Sequence, residues 1–194
     1  MLETVVIRPY CEEDLPALEA LGTRVQPYRP EDEAGVEAMF ARALQAEQAK
    51  DRRWMASPTL PLRPILEEFD AFWVAEYQGK TEKTMVGMVG GQTFLADEIL
   101  SDSHSLKAEW QTYGRVAELR RLQVDPEMRR FGLGTRLCQT VIAWAKEQEY
   151  DILLVNTTTP QLPALQLYRK LGFCERGLSY IGRYEQTWLE MIIP

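Results

Sequence analysis

The sequence predicts a mixed α+β protein with one central sheet, and two observations carry that prediction. Short runs of apolar and β-branched residues alternate along the chain with longer runs whose apolar residues recur at helical spacing. The unit from Val116 to Val155 predicts strand, glycine turn, helix and strand, which is long enough for a right-handed crossover between two parallel strands. Further strands before and after this unit complete the α+β pattern.

The first third of the chain predicts one strand, two helices and a loop. A short strand ends at Arg8-Pro9, and a helix opens with the acids of Cys11 to Asp14 and closes at Gly22. A longer helix is expected from about Glu31 to Lys50, where the apolar residues form one stripe. The proline-rich segment Ser57 to Pro64 predicts a loop of the kind that often shapes binding sites.

The middle of the chain predicts three strands. Phe72 to Ala75 form the first, and Met85 to Phe94 return as its antiparallel partner after a turn at Gln78-Gly79-Lys80. The polar stretch Asp97 to Gly114 predicts an exposed connection, and Val116 to Val124 form the next strand.

The last third predicts two helices and more strands. A helix is expected from Leu133 to Gln148, followed by the strand Ile152 to Val155, whose continuous apolar character indicates burial on both faces. A second helix is expected from about Leu162 to Leu171, ending before a glycine. The tail from Ser179 to Ile193 predicts a pair of strands broken near Arg183.

Length and composition limit the class of protein. The 194 residues suit one domain over residues 1–194, and 45% hydrophobic with 26% charged residues are ordinary for a globular protein. No apolar run approaches the roughly 20 residues that cross a membrane, and no signal-peptide pattern opens the chain, so no membrane association is expected. Three cysteines without metal-ligand spacing favour a reducing, cytoplasmic setting.

Charge and histidine content exclude further classes. A net charge of −7 argues against a nucleic-acid partner, which usually requires a basic face. His104 is the single histidine, so no metal site is expected. A Ser-His-Asp mechanism would depend on that one residue, which lies in a polar stretch typical of a solvated loop.

The most informative feature is the turn Arg129 to Gly134, between a predicted strand and a predicted helix. Its glycines let the backbone approach a ligand, and the first amides of a helix lack internal partners, so a phosphate or pyrophosphate site is expected. A P-loop is excluded because Thr135-Arg136 follow Gly134, and a dinucleotide-binding fingerprint is excluded because Leu137 replaces its third glycine. A plain tight turn with surface arginines remains the alternative.

The charge around this turn is opposite to that of the whole chain. Between positions 115 and 136 there are six arginines and three acids, which leaves a local charge of +3. This reversal favours a small polyanion as ligand. The six residues are Arg115, Arg120, Arg121, Arg129, Arg130 and Arg136.

Two motifs resemble those of a known superfamily. Leu122 to Pro126, followed by Arg129-x-x-Gly132-x-Gly134 and an apolar helix, resembles motif A of the GNAT acetyltransferases, and Ala164 to Phe173 resembles motif B. The resemblance covers roughly Val116 to Phe173, and order and spacing both match. It implies a GNAT-like fold: a mixed, mostly antiparallel sheet of six to seven strands, a parallel pair splayed at the cofactor site, and about four flanking helices.

The resemblance also implies acetyl-CoA as the donor substrate. The loop amides would bind its pyrophosphate, and the edge of the strand before the loop would hydrogen-bond its pantetheine arm. Gln161 stands where the family often has Asn, so that amide contact depends on a longer side chain. The implied cofactor-binding residues are Leu122, Gln123, Val124, Arg129, Arg130, Phe131, Gly132, Leu133, Gly134, Thr135 and Gln161.

Tyr168 is the candidate general acid. It stands at the motif B position where many members of the family carry a tyrosine near the leaving sulfur. An ordinary tyrosine pKa of about 10 keeps the hydroxyl protonated at neutral pH. The alternative is a packing tyrosine whose hydroxyl bonds to the backbone.

Glu118 is the candidate general base. It lies in the strand before the loop, fourteen residues before Gly132, a spacing that some members of the family use for a catalytic glutamate. Strand alternation predicts that Glu118, Arg120 and Leu122 share one face. A structural Glu–Arg pair is the alternative, as is proton transfer through water. The backbone amide of Val124 or a neighbour is the expected donor to the thioester oxygen.

The expected reaction is direct attack by a primary amine of a small molecule or peptide in a ternary complex. The motif B region is also similar to acetyltransferases that act on free amino acids and cysteine conjugates. Members of the family often dimerise, so a homodimer is one expected state. An inactive acetyl-CoA-binding sensor or regulatory module is one alternative, and an interaction module with an empty glycine loop is another. Four aromatic residues either line the acceptor pocket or belong to the core: Trp54, Trp73, Tyr113 and Trp188.

Overall fold

A single seven-stranded mixed sheet organises the chain, in the order β1-β2-β3-β4-β5-β7-β6. The computed structural model describes residues 4–25, 66–79, 83–94, 108–158, 161–181 and 184–194. The strands are β1 Val5–Pro9, β2 Ala71–Gln78, β3 Lys83–Thr93, β4 Val116–Val124, β5 Ile152–Thr158, β6 Cys174–Ile181 and β7 Tyr184–Ile192. The α-helices in these residues are α1 Leu15–Arg24, α2 Leu133–Glu147 and α3 Leu162–Leu171.

The parallel pair expected from the sequence is β4 and β5, joined by α2, and the other neighbouring strands pair antiparallel. β4 and β5 pair only from Val116↔Ile152 to Leu119↔Val155. Beyond that point, β4 stays paired with β3 as far as Val124, and β5 stays paired with β7 as far as Thr158. The two strands therefore separate into a gap, which confirms the predicted splay.

A bulge in β4 alters which residues share a face. Arg120 pairs with Gly90 of β3 and Gln123 pairs with Met88. Two residues of β4 therefore lie opposite a single residue of β3 in this interval. Arg121 in this interval has a positive φ of 58°, an unusual conformation for a residue with a side chain. Because the alternation resets there, the predicted common face is wrong at Leu122. Gln123 takes the place of Leu122 beside Glu118 and Arg120.

The two faces of the sheet carry different cores. On one face, α2 and α3 pack against residues that include Leu119, Leu153 and the half-buried Leu122. On the other face, α1 packs against the β2–β3 end of the sheet. That second face also holds an aromatic cluster, made of Phe94, Trp110, Trp188, Val116, Ile152 and Leu154. Glu118 points to the second face, because it alternates with the buried Leu119.

Most predicted elements in the described residues are found, with differences at the ends of several elements and in one connection. Gly22 does not end α1, which continues to Arg24, and β5 runs past Val155 to Thr158. β6 begins at Cys174, before the predicted start of the strand pair. The predicted exposed connection is wrong at Trp110, which is 1% exposed because it covers the apolar second face of the sheet.

Several expectations lie outside the described residues: the helix from Glu31 to Lys50, the loop from Ser57 to Pro64, Trp54 and His104. The three other aromatic residues contact core residues. Trp188 is buried, Trp73 packs its ring against Trp144, and Tyr113 packs against the aromatic cluster. Within the described part of the chain, no helix is both long and apolar enough to cross a membrane.

Candidate active site

The loop from β4 to α2 is anchored at Asp125. Its backbone amide donates to Val86 O at 2.9 Å, and its carboxylate accepts from the amide of Glu127 at 3.0 Å. The same carboxylate pairs with the guanidinium of Arg24, the last residue of α1, at 2.8 Å. Arg24 also donates to Met85 O at 2.8 Å, so the start of the loop is held against both β3 and α1.

The second half of the loop presents a row of amides. Gly132 precedes α2 with a φ of 82°, and Arg130 also has a positive φ, of 67°. The first backbone bond of the helix runs from Arg136 N to Gly132 O at 3.1 Å. The six amides from Arg130 to Thr135 donate to no residue that the structure describes. Together with the positive end of the helix dipole, they have the arrangement expected of an anion site, and anion binding by them stays a prediction.

Gly134 brings the beginning of α2 close to α3. A Cβ at this position would lie 3.3 Å from Leu167 Cδ2, which is tighter than ordinary contact. The second glycine of the turn therefore serves helix packing, and it connects motif A with motif B. The Cβ would also lie 3.8 Å from Val124 at the end of β4.

The arginines predicted to attract a polyanion are not gathered at the loop. Arg115 lies at the opposite end of β4, with its guanidinium 4.6 Å from the centre of the Tyr150 ring. Arg136 donates to Val5 O at 3.0 Å, and Arg120 and Arg121 lie along β4. Arg129 and Arg130 are exposed in the loop, and Arg129 donates to Val124 O at 3.2 Å. The local charge excess is therefore partly structural.

Polar groups lie on both sides of the gap between β4 and β5. On the β4 side, the buried Oε1 of Gln123 accepts no hydrogen bond from the described residues. On the β5 side, Thr157 Oγ1 donates to Gln161 Oε1 at 3.2 Å. Gln161 also accepts from the amide of Ala164 through its carbonyl, at the start of α3. Its side-chain nitrogen is thereby oriented without a hydrogen bond to any described residue.

Tyr168 lies in the core between α2 and α3 and is 4% exposed. Its ring meets that of Phe173 edge-on at 5.8 Å, and burial raises the pKa of its hydroxyl well above the ordinary value. Burial also raises the pKa of the neighbouring Cys138 thiol, to about 12. The hydroxyl of Tyr168 has no hydrogen-bond partner in the described parts of the chain. Burial against Phe173 fits the packing alternative, whereas a hydroxyl without a described backbone partner fits the general acid, so both roles stay open.

Glu118 is 3% exposed and lies where the gap opens. Asn156 Nδ2 donates to Glu118 Oε1 at 2.8 Å, and Gln92 Nε2 lies 3.4 Å from Oε2. Arg120 Nε is 4.0 Å from Oε1, at the limit of an ion pair. The shortest contact of Glu118 with a described residue is to the amide of Asn156, so a simple Glu–Arg pair does not describe the site.

Sequence reasoning missed Asn156 and Gln92. The available signal for Asn156 was a polar residue directly after the apolar run Ile152 to Val155, at the end where a parallel pair can splay. Gln92 lies at the end of a glycine-rich strand and carries no motif. Its position opposite Glu118 depends on the register of β3 and β4, which the sequence alone does not define.

Comparison with known proteins agrees with this geometry. A profile described as "Acetyltransferase (GNAT) family" matches residues 36–173. Human N-acetyltransferase 8 is 34% identical over 116 residues, which are 60% of this chain and 44% of that protein. N-acetylaspartate synthetase from Danio rerio is 31% identical over 106 residues, which are 55% of this chain and 30% of that protein. The chain spans less than half the length of these curated relatives.

Solved structures share the fold at low sequence identity. Arabidopsis thaliana NAA60 in complex with acetyl-CoA superposes with a TM-score of 0.64 and 17% identity, covering 98% of this chain and 99% of that one. The ribosomal-protein-S18-alanine N-acetyltransferase from Escherichia coli gives a TM-score of 0.58 and 17% identity, covering 97% and 94%. GNAT proteins use acetyl-CoA as co-substrate. The family profile spans most of the chain, including both glycines of the turn and the whole of α3, so the chain belongs to the GNAT family of acetyltransferases.

Proposed function

We propose that this chain is an acetyl-CoA-dependent N-acetyltransferase that acts on a primary amine of a small molecule or peptide, by direct attack in a ternary complex. The observation that carries the proposal is the row of six amides from Arg130 to Thr135, which donate to no described residue. They lie at the N-terminus of α2, beside the gap between β4 and β5. A pyrophosphate at the amides and a thioester in the gap would use both features.

Acetyl-CoA would contact three parts of the site. Its pyrophosphate would accept from the loop amides, with Arg129 and Arg130 nearby to offset its charge. Its pantetheine arm would pair with the open edge of β4 from Leu122 to Val124, replacing the strand partner that β4 loses beyond Leu119. The oriented side-chain nitrogen of Gln161 would donate to the same arm from the β5 side.

The chemical step requires a nitrogen lone pair, a stabilised oxyanion and a protonated leaving sulfur. Glu118 would accept the proton of the amine, whose nitrogen forms a bond to the acetyl carbon while the carbon–sulfur bond breaks. Tyr168, kept neutral by burial, would donate a proton to the departing thiolate. The amide of Val124 or a neighbour would stabilise the thioester oxygen. Because Glu118 lies on one face of the sheet and Tyr168 packs with α2 and α3 on the other, the acceptor and donor would enter separately.

The acceptor class follows from the site and from the names of related proteins. A buried carboxylate suits a cationic amine. The Danio rerio relative is named for N-acetylaspartate, and the Escherichia coli neighbour for the alanine of a ribosomal protein. These names support amines of free amino acids and of peptide termini as the first compounds to test.

Calorimetric titration of acetyl-CoA and desulfo-CoA tests the cofactor site. Micromolar binding of both is expected, and absence of binding by either would exclude the proposal. Gly132→Ala should weaken binding, because a side chain at a φ of 82° strains the loop by about 1–2 kcal/mol. Gly172→Ala is the matched control, since Gly172 has a φ of 99° at the end of α3 and lies outside the loop.

Thiol release in the presence of amines tests the reaction itself. Amino acids and short peptides with free amino termini are the acceptors to compare, with the same peptides blocked at the terminus as controls. Tight binding of acetyl-CoA without thiol release for any amine would instead support a cofactor-binding sensor.

A further inference from the structure

A continuous chain of hydrogen bonds crosses the second face of the sheet and ends on Glu118. Trp188 Nε1 donates to Ser179 Oγ at 2.8 Å, and Ser179 Oγ donates to Gln186 Oε1 at 3.3 Å. Gln186 Nε2 then donates to Asn156 Oδ1 at 3.1 Å. The last bond, from Asn156 Nδ2 to Glu118 Oε1, is 2.8 Å long. We call these five residues the amide chain.

The order of the strands explains how the amide chain forms. Ser179 lies on β6, Trp188 and Gln186 on β7, Asn156 on β5 and Glu118 on β4, which are consecutive neighbours in the sheet. Ser179 is the register partner of Gln186, and Asn156 is the register partner of Trp188. Their side chains therefore share one face and lie within reach of one another.

The chemistry of the two ends requires every hydrogen bond of the amide chain to donate in the direction of Glu118. An indole nitrogen can only donate, so the Ser179 hydroxyl must accept from Trp188 and is left to donate to Gln186. That bond fixes which end of the Gln186 amide faces Ser179, and the same reasoning fixes the amide of Asn156. The last donor, Asn156 Nδ2, meets a carboxyl oxygen of Glu118, which accepts the bond. Aligned hydrogen bonds of this kind polarise one another.

Asn156 occupies the point where the backbone no longer connects β4 to β5. Leu119↔Val155 is the last parallel pair, and Asn156 is the next residue of β5. Its side chain spans the opening gap and attaches Glu118 to β5 and, through Gln186, to β7. In the described residues, the charged neighbour of Glu118 is Arg120 at 4.0 Å, whereas β3, β5 and β7 present the neutral amides of Gln92, Asn156 and Gln186.

We infer that Asn156 is a positioning residue, and that the amide chain behind it holds Glu118 as an oriented carboxylate for the acceptor amine. This inference rests on the proposed function of Glu118 as base. With Oε1 held by Asn156, Oε2 is turned towards Gln92, whose own Oε1 is buried and accepts nothing from the described residues. Gln92 Oε1 is therefore an acceptor beside the Glu118 carboxylate that an N–H group of the amine would use.

The titration of Glu118 tests the amide chain without turnover. In the protein without ligands, the carboxyl carbon signal of Glu118 is followed against pH by NMR and assigned by its loss in Glu118→Gln. Asn156→Ala removes a charge-assisted donor, so the midpoint should rise by about one pH unit. Ser179→Ala and Trp188→Phe remove more distant links, so their shifts should be in the same direction and successively smaller.

Trp110→Phe is the matched control for Trp188→Phe. Trp110 packs in the same aromatic cluster and also donates through its indole nitrogen, but to Glu190 at 3.0 Å, outside the amide chain. Its variant should leave the Glu118 midpoint unchanged, and Ser179→Thr, which keeps the hydroxyl, should restore the wild-type value. Equal midpoints in all variants, or equal shifts in Trp188→Phe and Trp110→Phe, would overturn the inference.

A double-mutant cycle tests whether Asn156 acts through Glu118. Asn156→Ala should lower kcat about tenfold and move the acidic limb of the pH–rate profile upward, with KM for acetyl-CoA unchanged. In a Glu118→Gln background, the same substitution should have no further effect on kcat. An equal loss in both backgrounds would overturn the positioning role. Failure of the proposed function would appear differently, as absence of thiol release by the wild type whatever the NMR midpoints show.

Discussion

Arg24 Nε lies 2.8 Å from Asp125 Oδ2, which joins the end of α1 to the start of the loop between β4 and α2 across 101 positions in sequence. Asp125 also accepts from the amide of Glu127, so one carboxylate organises the loop and receives α1. Neither Arg24 nor Asp125 is among the predicted cofactor-binding residues. Their pair provides a way to disturb the loop without touching the amides from Arg130 to Thr135.

Arg24→Ala should therefore weaken acetyl-CoA binding about three- to tenfold, because the loop must then be ordered at the expense of roughly 1 kcal/mol of binding energy. Calorimetry measures the effect. Arg169→Ala is the control, since it breaks an exposed ion pair with Glu175 at the far end of α3. Equal affinities for Arg24→Ala and the wild type would show that the loop is ordered without α1.

Tyr168→Phe should lower turnover by about 10² or more while acetyl-CoA affinity stays near the wild-type value, because only the proton donor is lost. Tyr150→Phe is the matched control, because Tyr150 is also buried but its hydroxyl bonds to Thr93 Oγ1 at 2.7 Å, away from the gap. Steady-state rates with a saturating amine compare the two. A wild-type rate for Tyr168→Phe would remove Tyr168 from the mechanism.

Glu118→Gln should lower the rate about 10²-fold, and most strongly at low pH with an amine of high pKa. Under those conditions little of the amine is neutral, so loss of the base lowers the rate most. The glutamine side chain has nearly the same volume as glutamate. It can also keep the bond from Asn156, because it still offers an oxygen as acceptor. The pH–rate profile is the measurement. A profile of unchanged shape would favour proton transfer through water.

The glycine turn, the strand before it and the helices α2 and α3 could be predicted because their signals are local. Val116–Val124 and Leu162–Leu171 match the predicted bounds, and Gly172 ends α3 with a φ of 99° as a glycine C-cap should. The bulge at Arg121 could not be predicted, since an extra residue in a strand leaves no local pattern and is set by pairing with β3. The face of Leu122 was therefore assigned wrongly.

The environment of Glu118 could not be predicted from the sequence either. Its partners Gln92 and Asn156 come from strands on both sides of β4, 26 and 38 positions away. Which of their residues meet depends on register, and a slip of one position would turn every side chain to the other face. The resemblance to motif A identified the carboxylate as a candidate, but only the assembled sheet shows which residues hold it.

Arg8 provides the last prediction, which concerns stability at acid pH. Its guanidinium pairs with Asp14 at 2.7 Å and with Glu76 at 2.8 Å, linking β1 to the start of α1 and to β2. The hydrogen bond from Arg8 lowers the pKa of Asp14 to about 2, and Arg8 also lowers the pKa of Glu76. Both groups bind protons less readily in the folded than in the unfolded protein.

A depressed folded-state pKa contributes stability above the unfolded value, near 3.9 for Asp, and loses it as pH falls towards the folded value. Stability to urea should therefore fall between about pH 4 and pH 2 in the wild type. Arg8→Gln should lose roughly 1–2 kcal/mol at pH 7, because the buried Asp14 loses its cation and the buried Glu76 keeps only its pair with the exposed Lys83. The variant should also show a flatter decline below about pH 4. Asp14→Asn in the Arg8→Gln background should recover part of the loss, because it removes one of the stranded charges. If stability to urea falls with pH in the same way in the wild type and in Arg8→Gln, other carboxylates govern acid unfolding.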